Sequence, residues 1–259
     1  MSRLIDALEK TDRMSYQPMG FRTSLQAAAG PRLRLIAGSG LEDSLTPDLA
    51  DGADAVILLP GEIPPAVEAI KACTAQMGDI PWGVNIVESE AEIAVSLVKE
   101  GCDFLVFPAS SLTSAIPADN DTGRIIEVES SLDDGLLRAI NNIPVDAVLI
   151  ADSLEAGGPL IWHRLMIFRH VTSMLTMPVI IRVPLDIAES DIKALWESGA
   201  DAVIAEIDAA NPDGIKKLRK LIDGLPARSP SKKGRAEAIL PRLAETKTEE
   251  PEVEEEDWE

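Results

Sequence analysis

Five carboxylates, Glu88, Glu127, Glu129, Asp152 and Glu206, and one arginine, Arg182, stand at or near the ends of short apolar runs. Acids gathered at one end of a sheet can hold a divalent cation through oxygen ligands, or divide the work of a general acid and a general base. The plainer reading is a solvated rim on an acidic protein. Glu127 and Glu129 share one face by the strand period of two. Arg182 and Glu206 end consecutive runs, which predicts that they face each other on neighbouring strands as an ion pair. The same arginine can instead clamp an anionic ligand through its planar fork. His163 and His170 are seven residues apart on one helical stretch, wider than the three to five typical of shared metal ligands, and no metal is implied. His163 and Asp152 are the candidate catalytic side chains. Ser39, between Gly38 and Gly40, reads as a turn without the strand–turn–glycine context of a nucleophile. Ser110-Ser111 and Ser130-Ser131 read as helix caps.

The elements that must position these groups announce themselves by repetition. Gly52-Ala53-Asp54-Ala55-Val56-Ile57, Gly101-Cys102-Asp103-Phe104-Leu105-Val106, Val145-Asp146-Ala147-Val148-Leu149-Ile150 and Gly199-Ala200-Asp201-Ala202-Val203-Ile204 each carry an aspartate before an apolar run. The aspartates are 49, 43 and 55 residues apart, room for two strand–helix units per interval. Strands are predicted at Leu33–Ala37, Ala55–Leu59, Trp82–Val87, Phe104–Phe107, Arg124–Glu129, Ala147–Ile150, Val179–Val183 and Ala202–Ile207. Runs without strict alternation suit strands buried on both faces. Between them apolar residues recur at helical spacing: Ile93, Leu97 and Val98; Leu165, Phe168, Val171 and Leu175; Ile192, Leu195 and Trp196. Gly101 and Gly199 end helices where a left-handed residue is needed. Alternating strand and helix predicts an α/β fold, a single (β/α)8 barrel, with chemistry at the carboxyl ends of the strands.

Composition sets the boundaries. The barrel domain is read as 1–226, with a short amphipathic helix before the first strand, and 227–259 as a disordered tail. Residues 227–242 hold five basic side chains against Glu237 alone, and 245–259 hold nine acidic ones against Lys247. Such a charge block with few apolar residues predicts disorder. It is a solubilising appendage or a docking segment for a protein partner with Trp258 as its aromatic anchor. The remaining 18 basic and 34 acidic residues of 1–226 disfavour a hold on nucleic acid, which needs a positive surface. The start lacks the apolar centre of a signal peptide, and no run reaches the ~18 apolar residues of a membrane span. Cys73 and Cys102 give neither a disulfide framework nor a metal spacing. These features point to a cytoplasmic protein acting on a small molecule, alone or as a homo-oligomer.

Pro81-Trp82-Gly83-Val84-Asn85-Ile86 and Asp146-Ala-Val-Leu-Ile-Ala-Asp152-Ser153-Leu154-Glu155-Ala156-Gly157-Gly158 together resemble the nitronate monooxygenase (2-nitropropane dioxygenase) family of FMN-dependent TIM barrels, over about 80–210. The resemblance implies a flavin oxidoreductase acting on a small molecule. It puts Asn85 against the flavin ring and Gly157-Gly158 against the cofactor phosphate, and it brings Arg182 and Glu206 to the same site. The departures are specific. Pro159 stands where the family has its histidine, Val183-Pro184 where it has the phosphate-holding Gly-Gly, and Glu206 where it has glycine. Proline gives no N–H, and a carboxylate repels a phosphate dianion. Weak or absent FMN binding is therefore expected. The alternatives are a non-catalytic binding or scaffold barrel that has lost flavin, and a metal- or acid-base-dependent lyase using the mouth carboxylates.

Overall fold

The computed structural model describes residues 2–13, 33–40, 50–59, 70, 78–86, 91–117, 121–154, 158–207 and 211–226. Eight parallel strands close into a barrel in chain order: β1 (Arg34–Gly40), β2 (Ala55–Leu59), β3 (Trp82–Asn85), β4 (Phe104–Pro108), β5 (Gly123–Val128), β6 (Ala147–Ser153), β7 (Val179–Val183) and β8 (Ala202–Glu206). The described helices are α1 (Arg3–Arg13), α2 (Ala91–Lys99), α3 (Asp134–Ile140), α4 (Trp162–Met174), α5 (Glu189–Ser198) and α6 (Gly214–Asp223). The (β/α)8 reading holds, with strand bounds close to those predicted. Gly101 and Gly199 have φ of +91° and +110° after their helices, the left-handed termination expected of them.

The Asp repeat has a structural role. Asp54, Asp103, Asp146 and Asp201 each precede an even strand, and each backbone N–H donates to the carbonyl of the residue opposite on the preceding odd strand: Leu35, Trp82, Arg124 and Val179, at 2.8–2.9 Å. In three of the four the carboxylate also accepts that residue's N–H, from Leu35 (2.9 Å), Arg124 (2.8 Å) and Val179 (3.0 Å). One short side chain thus satisfies an N–H at the strand start that the ladder leaves over, and it locks the register of an odd–even strand pair. Asp103 is the exception. Its carboxylate accepts from Ser2 Oγ (2.8 Å) and the N–H groups of Arg3 (2.7 Å) and Leu4 (3.0 Å), capping α1 from outside the helix. That cap seats Leu4, Ile5 and Leu8, all buried, inside the amino end of the barrel. The contact is close: a Cβ on Gly123 would come within 2.7 Å of Ile5.

Two apolar shells follow from the strand period. Outward residues such as Leu35, Val56, Val84, Leu105, Val148, Ile181 and Val203 pack against Leu97, Phe168, Val171, Ile192, Leu195, Trp196 and Leu218 of the helices. Inward residues fill the barrel in layers supplied by alternate strands. Tracing the registers around the closed sheet gives Ala55, Phe104, Ala147 and Ala202; then Ile36, Gly83, Ile125 and Ile180; then Ile57, Val106, Leu149 and Ile204. Size alternates as packing demands. A Cβ on Gly83 would fall 2.4 Å from the Phe104 ring, so the glycine of one layer makes room for the only aromatic of the layer below.

Corrections to the sequence reading are local. Gly38-Ser39-Gly40 is not a turn: β1 runs through Gly40, paired with Leu59, and Ser39 is buried with its hydroxyl on the Gly40 carbonyl at 3.1 Å. Ser130 and Ser131 cap no helix. Their hydroxyls donate to Asp152 and Glu129, while the cap of α3 is Asp133, which accepts from the N–H groups of Gly135 and Leu136. Ser110-Ser111 lies in a turn after β4, and the short 3-10 segment Thr113–Ala115 that follows has no side-chain cap. Cys73, Glu88 and Gly157 lie outside the described residues.

Candidate functional site

Above the three apolar layers the barrel interior turns polar. The next layer comprises Gly38, Asn85, Glu127 and Arg182, one residue from each odd strand. Inward orientation follows from the alternation: Ile36, Ile125 and Ile180, two residues earlier on their strands, belong to the interior cluster, and Val84, before Asn85, belongs to the outer one. The final interior positions are Leu59, Pro108 and Glu206, on even strands. This is the carboxyl mouth, where barrels of this architecture place their chemistry.

Arg182 is held by Glu127, Nη2 to Oε1 at 2.8 Å, with the two side chains only 16% and 18% exposed. The sequence paired it with Glu206 instead. That pair does not form: Arg182 is in register with Ile204, and Glu206 stands two residues further along β8, exposed at the rim with its Cγ 3.5 Å from where a Cβ on Gly38 would be. Level side chains in a barrel come from alternate strands, so β5 rather than β8 supplies the partner. In the sequence Glu127 is only one of several strand-end acids. The signal that finds it is the layer count, two strands back and two residues down. The pair leaves Arg182 Nε buried without a hydrogen-bond partner.

The other candidates scatter. Asn85 is half-buried in the polar layer, at the end of β3. Asp152 lies in a stretch of β6 where the register slips between Ile150 and Ser153, and it accepts from Ser130 Oγ. Gly158 is exposed beyond that strand. His163 is exposed as the second residue of α4. His170, on the same helix, meets Asp134 of α3 at 2.9 Å, away from the mouth. Among the described residues no group of three or more His, Cys, Asp or Glu comes together in a way that could hold a metal ion, and no helix is long and apolar enough to cross a membrane.

The FMN phosphate is poorly served by these residues. Val183 turns its side chain into the buried outer shell, Pro184 has no N–H, Arg182 is already neutralised, and Glu206 adds an exposed negative charge at the rim. A dianion needs converging N–H donors or an uncompensated cation, and among the described residues Arg182, Val183, Pro184 and Glu206 supply neither.

No family model matches the sequence, and no curated protein matches it. Solved structures do match in fold. FabK from Thermotoga maritima superposes with a TM-score of 0.51 at 19% identity, over 80% of this chain and 61% of its own. The 3-keto-L-gulonate-6-phosphate decarboxylase of Vibrio cholerae gives 0.58 at 13% identity, over 74% and 98%. A 3-hexulose-6-phosphate synthase gives 0.56 at 15% identity, over 73% and 100%. The chain thus spans less than two thirds of FabK's length. Likeness at these identities shows the barrel fold alone.

Proposed function

We propose that the protein is a nitronate monooxygenase-like barrel that binds a small, singly charged oxyanion at its carboxyl mouth and does not keep FMN as a tightly held cofactor. The observation that carries this is the Arg182–Glu127 pair in a layer that also contains Asn85. A guanidinium with Nη2 engaged by Glu127 still has further Nη–H donors for a carboxylate or nitronate oxygen. Glu127 lowers the local positive charge, which favours a monoanion over a phosphate dianion. Asn85 offers both an amide donor and an acceptor to orient the ligand. Glu206, exposed at the rim, is a second carboxylate at this mouth, able to take a proton only from a C–H or O–H next to the ligand's charged group, which is the acid–base chemistry open here. The sugar phosphates named for two of the structural neighbours would need a dianion grip, which the departures at Val183-Pro184 and Glu206 argue against.

A second reading, an FMN-dependent oxidoreductase, is favoured by Asn85 facing inward at the end of β3, as the family resemblance implies. Bound flavin would supply the redox chemistry, and this chain's part would be to orient its ring through Asn85. The absorbance of the purified protein between 350 and 500 nm separates the two. The first reading expects a colourless protein that takes up 2-propyl nitronate or pyruvate in calorimetry and loses that binding in Arg182→Met. Yellow protein that releases FMN on denaturation would overturn it in favour of the second. A colourless protein with no Arg182-dependent anion binding would leave neither standing and favour the non-catalytic scaffold.

A further inference from the structure

One face of the molecule runs against its overall charge. In a chain of net charge −20, α4 carries no acidic residue in thirteen and holds His163, Arg164, Arg169 and His170. The same helix exposes a cluster of large apolar side chains: Trp162 is 81% and Met166 66% exposed, with Ile161 just before them at 53%. Trp162, Leu165, Met166, Arg169, His170 and Ser173 recur at helical spacing and line one shallow groove of about 470 Å³. The opposite stripe, Phe168, Val171 and Thr172, is the buried one. Contiguous exposed apolar side chains of this size mark an interaction surface.

We propose that this groove is the docking site of the chain's own acidic segment, residues 245–259. Charge complementarity selects the occupant. That segment holds nine carboxylates with Val253 and Trp258 among them, an apolar and anionic strip to set against an apolar and cationic one. The barrel of 1–226, with 34 acidic residues against 18 basic, repels it over most of the remaining surface. Helix α6 is also basic, with Lys216, Lys217, Arg219 and Lys220, but among the described residues it exposes no large apolar side chain, so it offers charge without the apolar strip. On α4, His170 is shared with Asp134, and the apolar side chains are what set the face apart. A second copy fits less well, because two α4 faces brought together would oppose like charges.

Reach is sufficient. Pro226 is fixed beside α5 by a hydrogen bond from Trp196 Nε1 to its carbonyl at 2.9 Å. Helix α4 lies against the same α5, with Thr172 Oγ1 on the Ser198 carbonyl at 2.5 Å and Arg169 Nη1 on the carbonyls of Glu197 and Ser198 at 3.3 Å. The intervening residues 227–244 can extend to about 60 Å, several times the ~20 Å length of a thirteen-residue helix.

Hydroxyl-radical footprinting of the full chain, read by mass spectrometry at Trp162 and Met166, tests this. The comparison is a full-length variant with Glu254, Glu255, Glu256 and Asp257 changed to Ser and Trp258 to Ser, at low salt and at 0.5 M salt, where the screening length is about 4 Å. The expected result is at least threefold slower oxidation of both residues in the native chain at low salt. The protection should be independent of protein concentration and lost in the variant and in high salt. Equal oxidation in the two chains overturns the proposal. So does protection that survives in the variant and grows with protein concentration, which would assign the face to a second copy.

Discussion

Changing Glu127 to Gln isolates what the mouth is for, because it alters stability and binding in opposite directions. The amide can still accept from Arg182 but no longer carries charge. The guanidinium keeps its charge, so the bond that remains is still charge-assisted. The native pair, 2.8 Å long and more than four-fifths buried on both sides, should lose only a difference within the roughly 1.5–3 kcal/mol range of such bonds, about 1 kcal/mol. In a domain of this size that lowers Tm by about 2–4 °C. Binding should move the other way. A monoanion seated on Arg182 about 5 Å from Glu127 is opposed by roughly 3 kcal/mol at an effective dielectric of 20. Water at the open mouth cuts this to about half, near 1.4 kcal/mol or tenfold in affinity. Calorimetric titration with 2-propyl nitronate, alongside thermal denaturation, reads both quantities. Glu127→Gln should bind about tenfold more tightly while melting slightly lower, and Arg182→Met should not bind. Unchanged or weaker binding in Glu127→Gln, or undiminished binding in Arg182→Met, refutes the reasoning.

Three further outcomes are expected. A chain ending at Pro226 should melt within a few degrees of the full chain, since the Trp196–Pro226 bond is retained; a loss of ten degrees or more would place part of 227–259 in the fold. Burial pushes the Cys102 thiol up to about 12 from 9.0, so it should resist iodoacetamide at pH 8 until the chain unfolds. Because the unfolded thiol ionises first, Cys102 should subtract stability as pH rises above about 9, a decline that Cys102→Ala reduces in pH-dependent urea titrations. Asp201→Ala strips a fully buried acceptor from the Val179 N–H and should cost about 1–3 kcal/mol in urea unfolding; a neutral result would mean that the aspartate repeat does not hold the register.

The barrel was legible because its signal is redundant. Each strand is an apolar run buried on both sides, and the Gly199-Ala200-Asp201 type of entry recurs four times, so errors at single boundaries do not propagate. The site was less legible because its contacts cross the interior rather than follow the chain. Arg182 and Glu206 look like partners by strand adjacency, yet at the level of Arg182 the barrel presents Asn85 and Glu127, which only a count of registers around the closed sheet can place. The serine pairs misled for a different reason. Ser and Asp cap helices by the same geometry, and in Ser130-Ser131-Leu132-Asp133 the later residue reaches the free N–H groups of α3 while Ser130 is drawn to Asp152 across the strand ends.

The aspartates at the strand entrances also decide how the wall comes apart. Each lock joins an odd strand to the even strand after it: β1 to β2, β5 to β6 and β7 to β8. The carboxylate that would reinforce β3 and β4 is spent on seating α1. Among the described residues no such lock spans β2–β3, β4–β5, β6–β7 or β8–β1. The wall is therefore eight staves glued in four pairs, with the plug at the amino end standing in for the missing glue. A nick between β4 and β5 severs no lock, so two half-barrels cut there carry within themselves the contacts that tell each strand its neighbour. Closure of the ring is then an assembly of prepared parts.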